Sequence, residues 1–237
     1  MVSAVYQGDN RFEVYRDGRG IGCISVSENP AHRVHTYLNV GLTDYDTADA
    51  QELFDSLQTQ LHKPLQVMTY SDKKELCDFL LSGGFVCKRR CYEIEGRSCD
   101  LIRPINARIP LKISHAGEAE YEAACRLLFD HYRRTHEAIS PLSADFEAFC
   151  DGLPASAVLS LDMTHAAFLE NEEIAYVASL EPEKSGPFLE TILKKQLSRW
   201  EKVCFECDDC DPVAMKLLDY FQKKEPSWNT FIREISL

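Results

Sequence analysis

The order of elements along this chain of 237 residues repeats once, and this repeat constrains the fold more than any other feature. Residues 65–94 predict an apolar strand, a helix capped by Asp72 and stopped by Gly83-Gly84, and a strand that closes on Glu-Ile. Residues 203–235 predict the same series, with Asp211 as the cap and proline at the first helical position. Such self-similarity indicates a chain built from two divergent halves.

The upstream segments match as well. Each half carries a strand–turn–strand pattern, with the turn at Asp17-Gly18 in the first half and at Glu170-Asn171-Glu172 in the second. Residues 32–42 add a further strand to the first half. An amphipathic helix follows in each half, with the apolar stripes Ala50, Leu53, Phe54, Leu57 and Leu61, and Leu189, Ile192, Leu193, Leu197 and Trp200. Interleaved strands and helices predict an α/β or α+β class with mixed sheets.

The second half has additional material at its start. An apolar stripe from Tyr121 to Tyr132 predicts one helix, and residues 143–149 predict a second that is capped by Ser143. The first half has no room for two such helices. We therefore expect two tandem domains, residues 1–98 and residues 108–237, of which the first is truncated.

Composition excludes several classes of function. The formal net charge of −12 argues against non-specific nucleic-acid binding, which requires a basic surface. It is typical of a soluble acidic surface and is also compatible with a cationic ligand such as an amine. No apolar run approaches the roughly 18–20 residues of a membrane span. The first residues lack the basic start and apolar stretch of a secretory signal, so a cytoplasmic protein with reduced thiols is expected.

Three cysteines at even spacing, Cys204, Cys207 and Cys210, raise the question of a metal or iron–sulfur site. Neither cysteine nor histidine follows Cys210, so the second half of a zinc motif is missing. The stretch predicts a buried strand, in which Cys204 and Cys207 point to opposite faces. We therefore predict no metal site, although spacing leaves upstream ligands open, such as Cys87 with Cys91, or His165.

The full pattern resembles the GNAT (N-acetyltransferase) superfamily. The most specific piece is "FLLSGGFVCKRRCYEIE" at residues 79–95, which is similar to the end of that fold, where a helix stops at Gly-Phe and a basic, aromatic strand runs back. The two helices before the second hairpin also match the family order. The resemblance covers nearly the whole chain as a tandem pair of domains, each with a mixed, mainly antiparallel sheet flanked by helices.

The resemblance implies that acetyl-CoA is the co-substrate and that backbone N–H groups at a helix N-terminus hold its diphosphate. The family motif is Arg or Gln, two residues, Gly, one residue, then Gly or Ala. In the first half these positions fall on Tyr45, Ala48 and Ala50, and the surrounding Asp44, Asp46 and Asp49 would repel a diphosphate. That half is therefore expected to be non-catalytic.

In the second half the motif keeps more of its chemistry, although the loop is about one residue short. Lys184 could supply a cation, and Ser185, Gly186 and Phe188 could supply amides, whereas Pro187 cannot. The same residues are also compatible with an ordinary strand-to-helix turn that binds no ligand. Two residues on the preceding strand and the cap of the later helix complete the predicted site. The predicted acetyl-CoA-binding residues are therefore Val177, Ser179, Lys184, Ser185, Gly186, Phe188 and Asp211.

Family chemistry also implies a base for the amine and an acid for the departing thiolate. Candidate bases are Glu137 and Glu206, the latter on a strand that would line the acyl-CoA cleft together with Cys207. The aligned tyrosine position falls near Leu218, and Tyr220, two residues further on, is the candidate acid. In the first half Leu80 occupies this position, which again indicates an inactive half.

The leading hypothesis is an acyl-CoA-dependent N-acyltransferase that moves an acetyl group from acetyl-CoA to an amine of a small molecule or peptide. A non-catalytic member that binds acyl-CoA or serves as an interaction scaffold is the alternative. A cysteine-ligated metal or redox protein is a weaker one. Neither nucleic acid nor membrane is an expected partner, and a second copy of the chain could cover the exposed face of the shorter half.

Overall fold

The computed structural model describes residues 1–235, which form two compact units built from segments that are not contiguous in sequence. Unit 1 comprises Met1–Arg90, Ile139–Ser143 and the described part of Pro226–Leu237. Unit 2 comprises Cys91–Ala138 and Ala144–Glu225. None of the helices within the described range is long and apolar enough to span a membrane.

Unit 1 contains a mixed sheet in the strand order β1–β2–β3–β4–β5–β12, with β6 next to β12. The strands β1 to β4 are antiparallel, β5 is parallel to β4, and β12 is antiparallel to β5. The strands are β1 (Val2–Gly8), β2 (Arg11–Arg16), β3 (Arg19–Asn29), β4 (His32–Leu42), β5 (Leu65–Tyr70), β6 (Val86–Arg97) and β12 (Trp228–Arg233), and the helices are α1 (Thr47–Leu61) and α2 (Lys74–Ser82).

Local sequence signals account for much of unit 1. Asp17 and Gly18 both have positive φ, 50° and 80°, as the two central residues of a tight hairpin turn require. The predicted stripe of α1 is buried against the sheet, except for the partly buried Leu61. Gly83 ends α2, and a Cβ at this position would lie 2.4 Å from the Phe54 ring, so only glycine lets the two helices pack.

Unit 2 contains the strand order β6–β11–β10–β9–β8–β7. The pair β10 and β11 is parallel, and the other pairs that we describe are antiparallel. The strands are β7 (Leu111–His115), β8 (Ser156–Ser160), β9 (His165–Glu170), β10 (Glu173–Ser179) and β11 (Lys202–Asp208), and the helices are α3 (Ala119–His136), α4 (Phe146–Cys150), α5 (Gly186–Arg199) and α6 (Pro212–Leu218).

The helices of unit 2 cover both faces of its sheet. Val203, Phe205 and Cys207 of β11 are buried in one apolar cluster with α5 and α6. Alternate strand residues, such as Ala157 and Phe168, are buried in a second cluster with α3. This two-period alternation places α5 and α6 on one face and α3 on the other. The predicted fold class, a mixed and mainly antiparallel sheet flanked by helices, is confirmed.

The closing strands of the two sequence halves are exchanged between the units. The strand β12 belongs to the second half of the sequence, but it forms six residue pairs with β5 in unit 1, from Trp228↔Tyr70 to Arg233↔Leu65. The strand β6 belongs to the first half, but its residues 91–97 form seven pairs with β11 in unit 2. The predicted boundaries 1–98 and 108–237 describe the repeat in the sequence, and the compact units cross them at these strands.

Three local predictions differ from the structure. Asp72 does not cap α2, because Lys73 is the N-cap, and the Lys73 side chain makes no capping hydrogen bond. The helix predicted from Ser143 is shorter and is capped by Asp145, whose carboxylate accepts from the N–H of Ala148. The sequence also predicts that the helix after Asp211 extends to about Lys223, but α6 ends at Leu218; its predicted cap, Asp211, is confirmed.

Candidate active site

The strands β10 and β11 separate after a single parallel pair, Glu173↔Cys204. From Glu173 the strand β10 continues to Ser179, so about 20 Å of its edge runs without a β11 partner in the described structure. Its other edge pairs with β9, with a register shift between Ile174 and Tyr176. Bulges of this kind are frequent beside active sites. The ladder between the two parallel strands is thus interrupted, and the gap beside residues 174–179 of β10 is called the cleft below.

The helix α5 begins where β10 and its connecting turn end. Ser185 is its N-cap but makes no capping bond, because its hydroxyl donates to the carbonyl of Pro182 at 2.8 Å. The first N–H groups of a helix have no intrahelical acceptor, so those of Gly186 and Phe188 can receive a ligand, whereas Pro187 has no N–H. A Cβ built on Gly186 meets no atom within 4 Å. The N-terminus of α5 is thus open and suited to an anion.

The buried side chain of His165 contacts one residue before this turn and one after it. The Nδ1 atom of His165 lies 2.7 Å from the hydroxyl oxygen of Ser179, which also accepts from the N–H of Glu181 at 2.9 Å. The His165 ring packs against the Phe188 ring at 5.5 Å between centroids. Burial lowers the pKa of His165, which favours the neutral form of the ring. The side chains of Ser179 and Phe188 are buried, so only their backbone groups could meet a ligand.

Two lysines lie beside the turn. The Nζ atom of Lys184 is exposed and lies 2.9 Å from a carboxylate oxygen of Glu181. The Nζ atom of Lys216, on α6, donates to the carbonyl oxygen of Pro182 at 2.8 Å and lies 3.4 Å from Glu183. Lys216 was not predicted from the sequence, because its proximity to the turn depends on how α6 packs against α5.

The corresponding helix of the first half is closed to anions. The Asp46 carboxylate accepts from the N–H of Ala48 at 3.0 Å and caps α1. Arg16 forms ion pairs with both Asp44 and Asp49. The first turn of α1 therefore already holds carboxylates of its own chain, in agreement with the repulsion expected from the acidic loop.

Acidic side chains gather on the face of β11 that is turned away from α5 and α6. Glu206 is exposed on this face, and its pKa is raised first by the partial loss of water around the carboxylate and then by the charges of Asp208 and Glu93. The Cys91 thiol donates to the Glu206 carboxylate at 3.7 Å. Tyr176 of β10 has a pKa raised first by burial and then by the charge of Glu206. The predicted base Glu206 and the unpredicted Tyr176 thus belong to the two strands that border the cleft.

Cys207 does not line this cleft. Its side chain is fully buried in the cluster with α5 and α6, and its Sγ donates to the carbonyl of Ala214 at 2.9 Å. Burial raises the pKa of the Cys207 thiol well above its usual value. Val177, a predicted binding residue, is likewise buried in this cluster, so only its backbone could contact a ligand.

Tyr220 has a protein partner for its hydroxyl. The hydroxyl donates to Glu190 at 3.0 Å, and the same carboxylate accepts from the N–H groups of Asn106 at 2.9 Å and Ala107 at 2.6 Å. Burial, together with Glu190, raises the pKa of Tyr220 to about 12. This network fixes the segment before β7 to α5 and gives Tyr220 a structural role.

The two remaining predicted residues lie apart from the open turn. Glu137 is exposed immediately after α3. Asp211 uses one oxygen to cap α6, accepting from Val213 and Ala214, and the other lies 3.0 Å from Nε2 of His131. The structure therefore brings together Lys184, Ser185, Gly186 and Phe188 at the turn and places Glu206 on the neighbouring strand.

Comparison with known proteins gives a match only at the level of structure. No protein-family model matches the chain, and no curated protein matches its sequence. A solved GCN5-related N-acetyltransferase from Sphaerobacter thermophilus matches with a TM-score of 0.56 at 12% identity, over 97% of this chain and 82% of that one. A protein from Enterococcus faecalis V583, described as a conserved protein of unknown function and probable N-acyltransferase, matches with a TM-score of 0.51 at 11% identity.

The Enterococcus match covers 95% of this chain but only 62% of the Enterococcus chain, so this protein spans less than two thirds of that neighbour. Both likenesses extend over nearly all of the present chain, across both halves of the repeat. At this level of identity they establish the architecture alone. The chain has the fold of the GCN5-related N-acetyltransferases.

Proposed function

We propose that this protein is a divergent member of the GNAT superfamily and that unit 2 is an acyl-CoA-dependent N-acyltransferase. The observation that carries the proposal is the separation of β10 from β11 next to an uncapped, sterically open helix N-terminus at Gly186. The capped and acidic N-terminus of α1 assigns no such role to the first half.

In this proposal the pantetheine arm of acetyl-CoA lies along the unpaired edge of β10, where the backbone of Val177 and Ser179 supplies hydrogen bonds. The diphosphate lies at the N–H groups of Gly186 and Phe188. Lys184 and Lys216 add positive charge, after leaving their contacts with Glu181 and Glu183. Ser185 shapes the turn through its bond to Pro182.

The acceptor is a primary amine on a small molecule or peptide. The carboxylates of Glu206 and Glu93 on the cleft face attract an ammonium group, and Glu206, directly or through water, takes the proton that the amine must lose. The amine nitrogen then attacks the thioester carbonyl, the carbon–sulfur bond breaks, and the second proton of the nitrogen passes through solvent to the departing thiolate. A raised pKa suits Glu206 to this task, because a base works best near the ambient pH.

The first test is thermal unfolding with excess acetyl-CoA. Binding to the folded state must raise the melting temperature, and ligand at 100 times its dissociation constant adds about 2.7 kcal/mol. Gly186→Glu should abolish this shift, because its side chain enters the open space and its charge repels phosphate. The substitution should not lower the stability of the free protein, since a carboxylate in the first turn of a helix is favourable.

Two further variants serve as controls for the position of the new charge and for the bulk of the new side chain. Ala48→Glu introduces the same charge at the N-terminus of α1 and should leave the acetyl-CoA shift unchanged. Gly186→Gln introduces similar bulk without charge and should weaken the shift less than Gly186→Glu. Absence of any shift in the wild-type protein, or an equal loss in Ala48→Glu, would contradict the proposed site.

A second candidate function is an acyl-CoA-binding protein without catalysis. The engagement of Tyr220 with Glu190 favours it, because the helix-borne acid implied by the family resemblance is then missing. Release of free thiol from acetyl-CoA in the presence of a panel of amines distinguishes the two. Amine-dependent release that is lost in Glu206→Gln supports the enzyme, and a thermal shift without release supports the binding protein.

A further inference from the structure

Three metal-binding side chains of different chemistry meet at one end of the sheet in unit 2. His136 is the last residue of α3, Asp208 is the last residue of β11, and Cys210 lies in the turn that follows. One imidazole nitrogen, one carboxylate oxygen and the Cys210 sulfur all lie within 4.8 Å of one another. His136 is buried, and the other two residues are partly buried. This cluster lies outside the proposed acetyl-CoA turn.

The imidazole of His136 is held in one orientation. Its ring stacks on Tyr132, with centroids 3.9 Å apart and planes inclined by 10°. Its Nδ1 atom lies 3.0 Å from the carbonyl oxygen of Tyr132 and 3.0 Å from the hydroxyl oxygen of Thr135, whose proton is directed to backbone carbonyls. Because a carbonyl oxygen can only accept, this arrangement assigns the proton to Nδ1 and leaves the lone pair on Nε2.

The Nε2 atom faces a carboxylate. It lies 3.2 Å from an oxygen of Asp208, so two acceptors meet unless a cation stands between them. A proton on the imidazole could supply this charge, and so could a metal ion. A metal ion at this position would engage the nearby Cys210 sulfur together with the imidazole and the carboxylate. A histidine whose other nitrogen donates to a carbonyl is the usual arrangement in metal sites.

We propose that His136, Asp208 and Cys210 bind a zinc ion, with a fourth position left for water or an external ligand. Nitrogen, oxygen and thiolate sulfur together favour Zn²⁺ over Mg²⁺ or Ca²⁺, which prefer oxygen alone. Tetrahedral zinc places such ligand atoms about 3.4–3.6 Å apart. The three ligand atoms now lie within 4.8 Å of one another, so rotation of the side chains need move them by only about 1 Å. The proposal does not depend on acyl transfer.

The test is direct metal binding to the full chain, after dialysis against a chelator. Zinc chloride titrated in competition with a chromogenic chelator should show one tight equivalent per chain. Cobalt(II) chloride should give the visible bands of a tetrahedral site and a thiolate-to-cobalt charge-transfer band. Cys210→Ser should remove the charge-transfer band and weaken zinc binding at least about tenfold, and Asp208→Asn should weaken zinc binding while keeping the band.

The matched control is Cys99→Ser, which removes an exposed cysteine on the segment after β6 and should change neither measurement. Circular dichroism in the presence of chelator checks that each variant is folded; His136→Gln serves as the third ligand variant. Substoichiometric binding, a charge-transfer band that persists in Cys210→Ser, or zinc affinity equal to wild type in Cys210→Ser would overturn the site and leave His136 and Asp208 as an ion pair.

Discussion

At the scale of single residues, side chains beside the proposed acetyl-CoA turn act mainly through their neighbours. His165 illustrates this, because it bonds to Ser179 and packs on Phe188 without an open position of its own. Tyr220 is similar, since its hydroxyl is used to hold Glu190. Substitution of either residue should therefore affect the geometry of the turn or of the α5 surface before it affects any chemical step.

His165 gives a prediction for the pH dependence of stability. Its pKa in the folded protein is lowered by burial, so as the pH falls below about 6.5 the unfolded chain binds the proton first. The contribution to stability is present above that pH and is lost as the pH falls toward the folded-state pKa. The free energy of unfolding, measured in urea at pH 7.5 and pH 5.5, should decrease on acidification.

The same measurement on His165→Asn should show a smaller decrease, because the titrating group is gone, although the variant itself is less stable. His115→Gln, which removes an exposed histidine, is the control and should keep the wild-type decrease. An unchanged pH dependence in His165→Asn would contradict this assignment. His35 is also buried with a lowered pKa, so a remaining decrease in the variant is expected.

At the scale of elements, the side chains that cap helices differ in their number of hydrogen-bonding partners. Asp211 accepts two backbone N–H groups and also pairs with His131, whereas Asp145 accepts one backbone N–H. The cap of α6 thus joins this short helix to α3 as well as starting it. The strength of a cap in this protein should therefore follow its number of partners.

Asp211→Ala should lower the free energy of unfolding by about 1–2 kcal/mol, since two helix N–H groups and the buried His131 lose their acceptor. Asp145→Ala should cost less, about 0.5–1 kcal/mol. Urea denaturation monitored by circular dichroism gives both values. Equal losses in the two variants would mean that neither the second N–H group nor the contact with His131 adds to the cap.

The elements also show which structural features can be predicted from the sequence. Short-range signals succeeded where one residue type has a strong local reason, as at Asp17-Gly18, at Gly83 and at Asp211. Asp72 failed as a cap because a cap needs the carboxylate to reach the first turn, and the turn geometry decides this. Such geometry cannot be obtained from residue types alone.

Contacts between residues that are far apart in the sequence could not be predicted from the sequence. The pair of His136 with Asp208 joins positions 72 residues apart, and Lys216 meets Pro182 across 34 residues. No spacing rule links these positions, because each depends on how a helix packs on the sheet. The family resemblance located the turn at Gly186, but the cation on α6 and the carboxylates around Glu206 became visible only in the folded protein.

At the scale of the whole molecule, the exchange of β6 and β12 makes each unit depend on both halves of the sequence. The strand β12 pairs with β5, and its Arg233 is buried and donates to Gln58 of α1 at 2.8 Å. Removal of residues 226–237 should therefore unfold part of unit 1, although those residues lie at the far end of the chain. We therefore expect that neither half of the repeat folds independently of the other.

Hydrogen exchange tests this prediction. In the shortened chain, amides of β5 at residues 65–70 should lose protection, because six residue pairs are removed. A chain that ends at Arg233 keeps β12 and is the control. Retained protection of β5 in the shorter chain would show that β12 is dispensable for unit 1.

The exchanged strand also sets the order of events during synthesis. The position for β12 beside β5 exists once residue 70 has been made, but β12 itself begins at residue 228, about 160 residues later. At roughly 5–20 residues per second, the ribosome needs on the order of 8–30 s to supply it. During this interval the nascent chain carries an unpaired strand edge, the kind of edge that invites aggregation. Chaperone binding to the emerging first half would then protect the chain until residues 228–233 leave the exit tunnel.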